Sequence, residues 1–515
     1  MIALQARRLA VYLVLGFAVV SLALSWWQVI DAPALAARPD NPEVIQARRS
    51  MPRGSIFDVR GNVLASSRLV NGISTRTYTD PAFTHLIGYA SLRFGTTGLE
   101  RAWDDILIGR TDPNPVNDIV DDVLGRRPQP RDLTLTVDQR LQDFAAAQLG
   151  RDIGAVVALD PRTGAVLAMT STPSFDATPI SGDPAGAGRA MNQIQNQPGN
   201  PLVARDRQGH YTPGSIMKVV TAAAGLETGS ITPQTTFPDQ PRQEVEGFVV
   251  DGFRILEHDL GAVQPALWAL SEALQVSSNV FFAHVGLEIG AEAYLDQARA
   301  FGFCSGLAIG DAGRELPVAA SYVTRPQGGD CSPFQDRAEL AQASFGQGRV
   351  SVTPVQMALV AATIANGGVM PQPYVVRDVR AHASRPTRGP RDQVLETQSP
   401  PGGQRVVGSR AADEVRSAMV DAVEGPLGRL YAGAAAVSNF GVPGVQTAGK
   451  TGTAELGPGQ EPHSWFIGFA PAQGSATPAI AVAVIVEGGG SGSGRAAPIG
   501  GAVMAEWLKI LGAGG

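Results

Sequence analysis

The sequence predicts an α+β protein in which an antiparallel sheet is sandwiched by helices, preceded by a transmembrane helix and a small N-terminal module. Three observations lead to this fold class. A long apolar stretch opens the chain, a helix-like stretch followed by a β-hairpin begins near Thr136, and the last quarter returns to strands before a closing helix. The 515 residues, 44% of them hydrophobic, suffice for two or more domains. We expect a cytoplasmic start and anchor at 1–31, the N-terminal module at 32–135 and the main domain at 136–515.

The apolar stretch Leu9–Ile30 has 22 residues and no charge, which is long enough to cross a bilayer as a helix. Arginines at 7–8 precede it and tryptophans at 26–27 lie near its far end, a pattern that places the N-terminus in the cytoplasm and the remaining chain outside. The alternative is a signal peptide cleaved near 34–36. The stretch exceeds the roughly 7 to 15 apolar residues of such a peptide, so we expect an uncleaved anchor.

The N-terminal module is polar up to about Arg131. A turn at 58–61 separates two weakly alternating stretches, 55–57 and 62–65, which predicts a short pair of strands. About 100 residues leave little room for a second full-sized catalytic domain.

The main domain begins with apolar residues at helical spacing in Val137–Leu149, where Asp138 can cap the helix. The stretches GAVVALD and AVLAMTS then flank a DPRTG turn, in which Gly164 permits a β-hairpin. A helix-dense region follows, from Pro213 to about Asn366. A stretch rich in Pro, Arg, Ser and Gly, about 384–404, is predicted as a flexible loop.

The last quarter contains three strand-like stretches, GVQTAGKTGTAEL, SWFIGFAP and AIAVAVIVEG, and then a helix at about Ala497–Leu511. Consecutive strands of this kind complete the antiparallel sheet that begins with the hairpin.

Charge and cysteine content exclude some partners. The 41 basic and 47 acidic residues give a net charge of −6, which offers no basic surface for nucleic acid. No cluster of His and Cys has zinc-ligand spacing, so we expect no metal. Cys304 and Cys331 both fall in the outward part, where an oxidising environment favours a disulfide; two buried free thiols are the alternative.

Lysine is rare here: it occurs only at Lys218, Lys450 and Lys509. Lys218 lies three residues after Ser215, and side chains at i and i+3 share a helix face. Thr212 and Pro213 are suited to cap and begin that helix, which puts Ser215 in its first turn.

A serine hydroxyl becomes a good nucleophile when a neighbour takes its proton. Lysine can do so only when neutral, so its pKa must fall by about 3 units, through burial or a second cation nearby. Arginine keeps its proton in proteins, so it cannot replace Lys218 in this role.

Lys450 heads the sequence KTGT in a predicted strand. Gly449 and Gly452 permit close approach of a ligand backbone, and Thr451 and Thr453 add donors, so this edge can hold a substrate carboxylate. Lys450 can also be the second cation that lowers the pKa of Lys218.

Between these motifs lies VSSN, where Ser277 and Asn279 follow a helical run. A hydroxyl and a carboxamide at a helix junction can carry a proton and orient a substrate amide. Each motif alone is common by chance, but the three occur once each, in this order, and in helix, junction and strand contexts.

The motifs YTPGSIMK, VSSN and KTGTAE resemble the active-site set of class B penicillin-binding proteins, which are monofunctional peptidoglycan D,D-transpeptidases. The resemblance covers nearly all of the chain: RGSIFDVRGNVLA and GTTGLERAWDDIL resemble the N-terminal module of that class. It implies a transpeptidase domain with the fold shared by penicillin-binding proteins and β-lactamases.

By this resemblance, the substrate is a peptidoglycan stem peptide ending in D-Ala-D-Ala, β-lactams bind the same site, and no cofactor is needed. The catalytic residues that it implies are Ser215, Lys218, Ser277 and Lys450. The substrate-binding residues that it implies are Asn279, Thr451, Gly452 and Thr453. A lipid-linked glycan polymerase and other cell-wall assembly proteins are the expected partners.

Two other functions stay open. A D,D-carboxypeptidase or β-lactamase would use the same residues and pass the acyl group to water. A non-enzymatic β-lactam sensor or scaffold would also be acylated, but a sensor needs a signalling domain. The anchor and the N-terminal module favour a crosslinking enzyme.

Overall fold

A computed structural model describes residues 2–31, 52–70, 73–110, 129–258, 263–310, 313–382, 393–457, 459–474 and 477–512. Its α-helices are α1 Ile2–Ser25, α2 Thr84–Ile87, α3 Gly98–Ala102, α4 Asp104–Ile108, α5 Gln139–Leu149, α6 Pro184–Gln195, α7 Arg205–Gln208, α8 Lys218–Glu227, α9 Gln240–Glu246, α10 Leu270–Val276, α11 Asn279–Ile289, α12 Ala291–Ala300, α13 Arg337–Ser344, α14 Pro354–Ala365, α15 Ser409–Glu424 and α16 Ala496–Gly512.

Twenty-one strands are described. They are β1 Ile56–Phe57, β2 Val63–Val70, β3 Ile73–Tyr78, β4 Ala90–Ser91, β5 Gly95–Thr96, β6 Arg131–Leu135, β7 Gly154–Leu159, β8 Val166–Thr172, β9 Phe248–Val250, β10 Phe253–Ile255, β11 Leu307–Ile309, β12 Leu316–Val318, β13 Pro326–Gln327, β14 Asp330–Cys331, β15 Val369–Pro371, β16 Val376–Ala381, β17 Val394–Thr397, β18 Gly403–Arg405, β19 Ala448–Ala454, β20 His463–Ala470 and β21 Ile480–Val486.

The N-terminal helix is long and apolar enough to cross a membrane. The window Arg7–Gln28 has a mean hydropathy of 2.2, and none of it is buried against the rest of the protein. Such a helix matches the length that a bilayer core requires.

The main sheet is antiparallel and has the strand order β19-β20-β21-β7-β8. Helices cover both of its faces, as predicted. Alternate residues of the strands pack into two cores: Phe466 and Val484 face α5 and α16, whereas Trp465 and Ile485 face the larger core that contains α8 and α14. Strand β19 lies at the edge of this sheet, so one side of its backbone is free to meet other segments.

A second sheet joins the N-terminal module to the main domain. Its order is β17-β16-β6-β1-β2-β3, so that strands from before and after the predicted boundary at residue 135 lie side by side. Strand β6 pairs in parallel with β1 and antiparallel with β16. The module is therefore fixed to the main domain by backbone hydrogen bonds.

The predicted helix of 137–149 begins at Gln139, and the Asp138 carboxylate accepts a hydrogen bond from the Arg140 backbone N–H as its cap. Cys304 and Cys331 form a disulfide.

The prediction of a flexible loop at about 384–404 was wrong for its second half. Strand β17 pairs with β16, and β18 pairs with β15. All residues of β17 and β18 are exposed, and their sequences VLET and GQR do not alternate apolar with polar residues, which is the pattern that predicts a half-buried strand. Residues 383–392 of that stretch lie outside the described residues.

Candidate active site

Ser215 lies in a tight turn that leads into helix α8. The turn is a 3-10 helix, Gly214–Met217, and α8 begins at Lys218. The predicted cap was wrong: Pro213 takes the capping position of the turn, and no side chain caps it. The i, i+3 relation nevertheless places the Lys218 amine 3.0 Å from the Ser215 hydroxyl oxygen.

Gly214 explains why a tight turn forms here. Its φ is +58°, and a Cβ at this position would lie 2.6 Å from the backbone oxygen of Thr453. A residue with a side chain would be strained and would push the turn away from strand β19. Glycine therefore lets the backbone beside the nucleophile approach the KTGT strand.

Ser277 and Asn279 lie at the junction of helices α10 and α11, as predicted. Ser277 has a left-handed conformation, φ +62°, which is costly for a residue other than glycine. The Ser278 hydroxyl caps α11 by accepting from the Phe281 N–H at 3.1 Å. The sharp turn brings the Ser277 hydroxyl 3.2 Å from the Lys218 amine.

The surroundings of the Lys218 amine suit a neutral base. It contacts two groups that can only accept, the Ser277 carbonyl oxygen and the Asn279 Oδ1 at 2.8 Å. The Asn279 Nδ2 donates to the Leu256 carbonyl oxygen at 3.0 Å, which fixes the orientation of the amide. A neutral amine has two hydrogens for these acceptors, and its lone pair then remains for the Ser215 hydroxyl hydrogen.

Burial of Lys218 lowers its pKa, as a general base for Ser215 requires. Lys218 has no exposed surface, and desolvation of its ammonium lowers the pKa from 10.5 to about 7, although Glu257 and Glu244 act to raise it. About half of the Lys218 side chains are then neutral at pH 7. The sequence analysis named burial or a second cation such as Lys450 as the cause of this pKa shift, and burial is the main cause.

Lys450 reaches the same cluster from strand β19. Its amine donates to the Ser277 hydroxyl at 2.9 Å and to the Thr451 carbonyl oxygen at 3.1 Å. The side chain is 1% exposed, and burial, followed by the charge of Lys218, lowers the pKa of Lys450 well below its usual range. One serine hydroxyl therefore connects two buried amines, an arrangement that can move a proton between them.

The other KTGT residues divide between the two faces of β19. Gly452 shares the Lys450 face, where a Cβ would lie 2.7 Å from the Pro213 carbonyl oxygen. At Gly449 a Cβ would lie 2.5 Å from the ring of Phe466. Both glycines therefore make room for neighbouring parts of the chain itself. The close approach of a ligand backbone at these glycines stays a prediction.

Thr451 and Thr453 share the other face of the strand. Thr451 is 8% exposed, whereas Thr453 is open to solvent and its hydroxyl accepts from the Gly492 N–H at 3.3 Å. Of the two, Thr453 is the more accessible to a ligand at the edge of the sheet.

Two carboxylates behind the junction were missed by the sequence analysis. Glu257 accepts hydrogen bonds from the first backbone N–H groups of α11, and Glu244 accepts from the Ser278 hydroxyl. Neither lies in a motif, and Glu257 follows the largely exposed hairpin β9–β10, so no local pattern marks it as buried.

Family profiles match both parts of the chain. The penicillin binding protein transpeptidase domain matches residues 154–505, and the penicillin binding protein A dimerisation domain matches residues 53–133.

Similar proteins extend over nearly the whole length. The peptidoglycan D,D-transpeptidase PbpA of Mycolicibacterium smegmatis is 35% identical, with 98% of each chain covered. Penicillin-binding protein A from M. tuberculosis, solved as acyl-enzyme complexes, is structurally similar. Its imipenem complex has a TM-score of 0.74 at 33% sequence identity, and the match covers 90% of this chain and 100% of that chain. Its penicillin G complex has a TM-score of 0.73 at 34% sequence identity, and the match covers 89% of this chain and 100% of that chain. The chain therefore belongs to the penicillin-binding protein transpeptidase family, as a class B penicillin-binding protein.

Proposed function

We propose that this protein crosslinks peptidoglycan by serine acyl transfer on stem peptides that end in D-Ala-D-Ala. The observation that carries the proposal is the Lys218 amine, which lies 3.0 Å from the Ser215 hydroxyl in a site that brings its pKa to about 7. A serine nucleophile thus lies within hydrogen-bond distance of its base, and the base is partly neutral near pH 7.

The first half of the reaction forms the acyl-enzyme. Ser215 Oγ attacks the carbonyl carbon of the penultimate D-alanine, and Lys218 takes the hydroxyl proton. Backbone N–H groups of Ser215 and Thr453 are the proposed donors to the oxyanion, because Gly214 and Gly452 bring these two segments together. As the tetrahedral intermediate collapses, the terminal D-alanine leaves with a proton delivered through the Ser277 hydroxyl.

Three further side chains are proposed to hold the substrate. Asn279 orients the peptide amide, and Lys450, with Thr451 and Thr453, attracts the terminal carboxylate. Lys450 also serves proton transfer, because it shares the Ser277 hydroxyl with Lys218.

The second half forms the crosslink. An amine of a neighbouring stem peptide attacks the acyl carbon, loses its proton along the same route, and displaces Ser215 Oγ, which is reprotonated from Lys218. The product is an amide bond between two stems. A β-lactam presents a strained amide and a carboxylate to the same groups, and its ring-opened acyl-enzyme blocks the site; the solved relatives carry such acyl groups from imipenem and penicillin G.

The proposed setting is the outer face of the cell membrane. Helix α1 would anchor the chain, with the arginines at 7–8 in the cytoplasm and the catalytic domain outside. A lipid-linked glycan polymerase is the proposed partner, because the reaction consumes stems that are already attached to glycan strands.

Labelling with a fluorescent penicillin tests the site. The detergent-solubilised full chain should form a stable adduct whose labelled peptide contains Ser215, and Ser215→Ala should abolish it. Labelling that survives in Ser215→Ala would contradict the assignment of the nucleophile. Substitution of the partly exposed Ser230 by alanine is the matched control and should leave labelling unchanged.

A further inference from the structure

Two buried carboxylates lie directly behind the Ser277–Asn279 junction. The Glu257 side chain is 4% exposed, and Glu244 is 7% exposed. Buried carboxylates are costly unless they are paired or hydrogen-bonded, so their contacts indicate what they do.

Glu257 holds the start of helix α11. It accepts from the Asn279 N–H at 2.8 Å and from the Val280 N–H at 3.2 Å. The Ser278 hydroxyl lies 2.9 Å away, and the His258 ring nitrogen Nδ1 lies 3.0 Å away. A carboxylate at a helix N-terminus is stabilised by these free N–H groups and by the helix dipole, and it fixes their position in return.

Glu244 occupies a different environment. It accepts from the Trp268 Nε1–H at 3.0 Å and from the Gln240 side-chain amide at 2.8 Å, and it lies 2.7 Å from the Ser278 hydroxyl. The single Ser278 hydrogen can serve only one of the two carboxylates at a time.

Asn279 connects Glu257 to the catalytic amine. Its backbone N–H donates to Glu257, while its side-chain oxygen accepts from Lys218 at 2.8 Å. Its Nδ2 donates to the carbonyl oxygen of Leu256, the residue before Glu257. A change at Glu257 is therefore transmitted to Lys218 through one residue.

The charge of this cluster changes during the reaction. When Lys218 takes the proton of Ser215, a positive charge arises on its amine, and this amine and the neighbouring Lys450 amine are almost fully buried. A buried negative charge nearby is then required to stabilise the new ammonium.

We propose that Glu257 is a positioning residue of the acyl-transfer reaction, which fixes Asn279 at the start of α11 and supplies the buried negative charge that stabilises Lys218 once it holds the serine proton. The inference rests on the proposed function, because it assigns Glu257 a part in the same proton transfer.

The electrostatics support Glu257 over Glu244 as the charged group. Burial acts to raise the pKa of Glu257, but the His258 hydrogen bond, the Lys218 charge and the Asn279 N–H hold that pKa below its usual value. Burial leaves the pKa of Glu244 raised. The titratable groups that surround the Lys218 amine are Glu257, Glu244, Lys450 and, beyond Glu257, His258.

The test is the pH profile of penicillin acylation in the full chain. The wild-type rate should fall below pH 7 as Lys218 becomes protonated. In Glu257→Gln the carboxylate charge is lost, so the ammonium is less stable and the acid limb should move to lower pH by about one unit. A limb that stays at the wild-type pH in a folded Glu257→Gln protein would overturn the proposal, even if the rate fell.

Two control variants separate other causes. His258→Gln removes the imidazole ring and keeps the Glu257 carboxylate, so its acid limb should stay at the wild-type pH; loss of the limb in this variant would assign the limb to His258 and overturn the proposal. Ser278→Ala removes the shared hydroxyl without changing the charge and should also leave the limb in place. A downward shift there as large as in Glu257→Gln would show that geometry, not charge, sets the limb.

A second variant at the same position covers the case in which Glu257→Gln does not fold. Glu257→Asp keeps the charge and shortens the side chain, so acylation should slow about tenfold through loss of Asn279 positioning, with the limb at the wild-type pH. A wild-type rate, or a limb one unit lower, would overturn the proposal. Failure of the wild-type protein to acylate would instead refute the proposed function, which distinguishes the two.

Discussion

Lys218→Arg isolates the role of a neutral amine from that of a positive charge. Lys218 has a pKa of about 7, so half of the molecules hold a free base at pH 7. Arginine remains protonated throughout the accessible pH range, so the variant has no base beside Ser215. General-base catalysis contributes about 10²- to 10⁴-fold, and we expect the second-order rate constant of acylation to fall by at least about 100-fold.

The assay is acylation of the full chain by a fluorescent penicillin, followed from pH 5 to 9. The wild-type rate should fall below pH 7 and approach a plateau above it, whereas Lys218→Arg should stay slow at every pH. Two variants serve as controls. Lys509→Arg makes the same exchange at a half-exposed side chain and should acylate normally, and Lys218→Met removes the amine without burying a guanidinium and should be as inactive as Lys218→Arg.

Acylation of Lys218→Arg within tenfold of the wild-type rate would refute the reasoning. A normal rate in Lys218→Met would do so more directly, because no group at position 218 would then accept the proton.

Three more predictions concern stability and the geometry of the turn. Because folding depresses the pKa of Lys218 from 10.5 to about 7, its ammonium destabilises the fold below pH 7, and this destabilisation is lost as the pH rises. Denaturant unfolding should therefore show the free energy of unfolding of the wild type rising by roughly 4 kcal/mol relative to Lys218→Met between pH 7 and 10.5, and parallel pH curves would contradict the burial argument. Gly214→Ala should slow acylation at least tenfold, because its Cβ would meet a carbonyl oxygen of β19 at 2.6 Å, whereas Gly229→Ala, with a similar φ of +72° and open space, should acylate normally; equal effects would contradict the close-approach argument. Replacing Cys304 and Cys331 together by serine should lower the free energy of unfolding by about 3 kcal/mol, measured under non-reducing conditions, and an unchanged unfolding midpoint would contradict a stabilising bridge.

The catalytic cluster was accessible from the sequence because its chemistry depends on residue type and short spacing. The i, i+3 relation of Ser215 and Lys218 holds in the 3-10 turn as it would in an α-helix. The arrival of Lys450 at the Ser277 hydroxyl spans 173 residues, and no local rule predicts it. That the three motifs meet was inferred from their order and chemistry and from the resemblance to a known family.

The failures have physical causes. The cap at Thr212 was wrong because Gly214, with its positive φ, tightens the turn against β19. Strands β17 and β18 escaped recognition because apolar and polar residues do not alternate in them. All of their residues are exposed. Glu257 was missed because its burial depends on long-range packing around α11, which a carboxylate in a short mixed stretch does not reveal.

The central claim, that the acyl group passes to an amine, is tested most directly by supplying a D-Ala-D-Ala stem peptide with and without an acceptor amine and identifying the products. We predict release of D-alanine together with a new amide-linked dimer when the acceptor is present, and loss of both in Ser215→Ala. Release of D-alanine with only the hydrolysed peptide, at a rate that the acceptor does not change, would contradict the account and identify a carboxypeptidase.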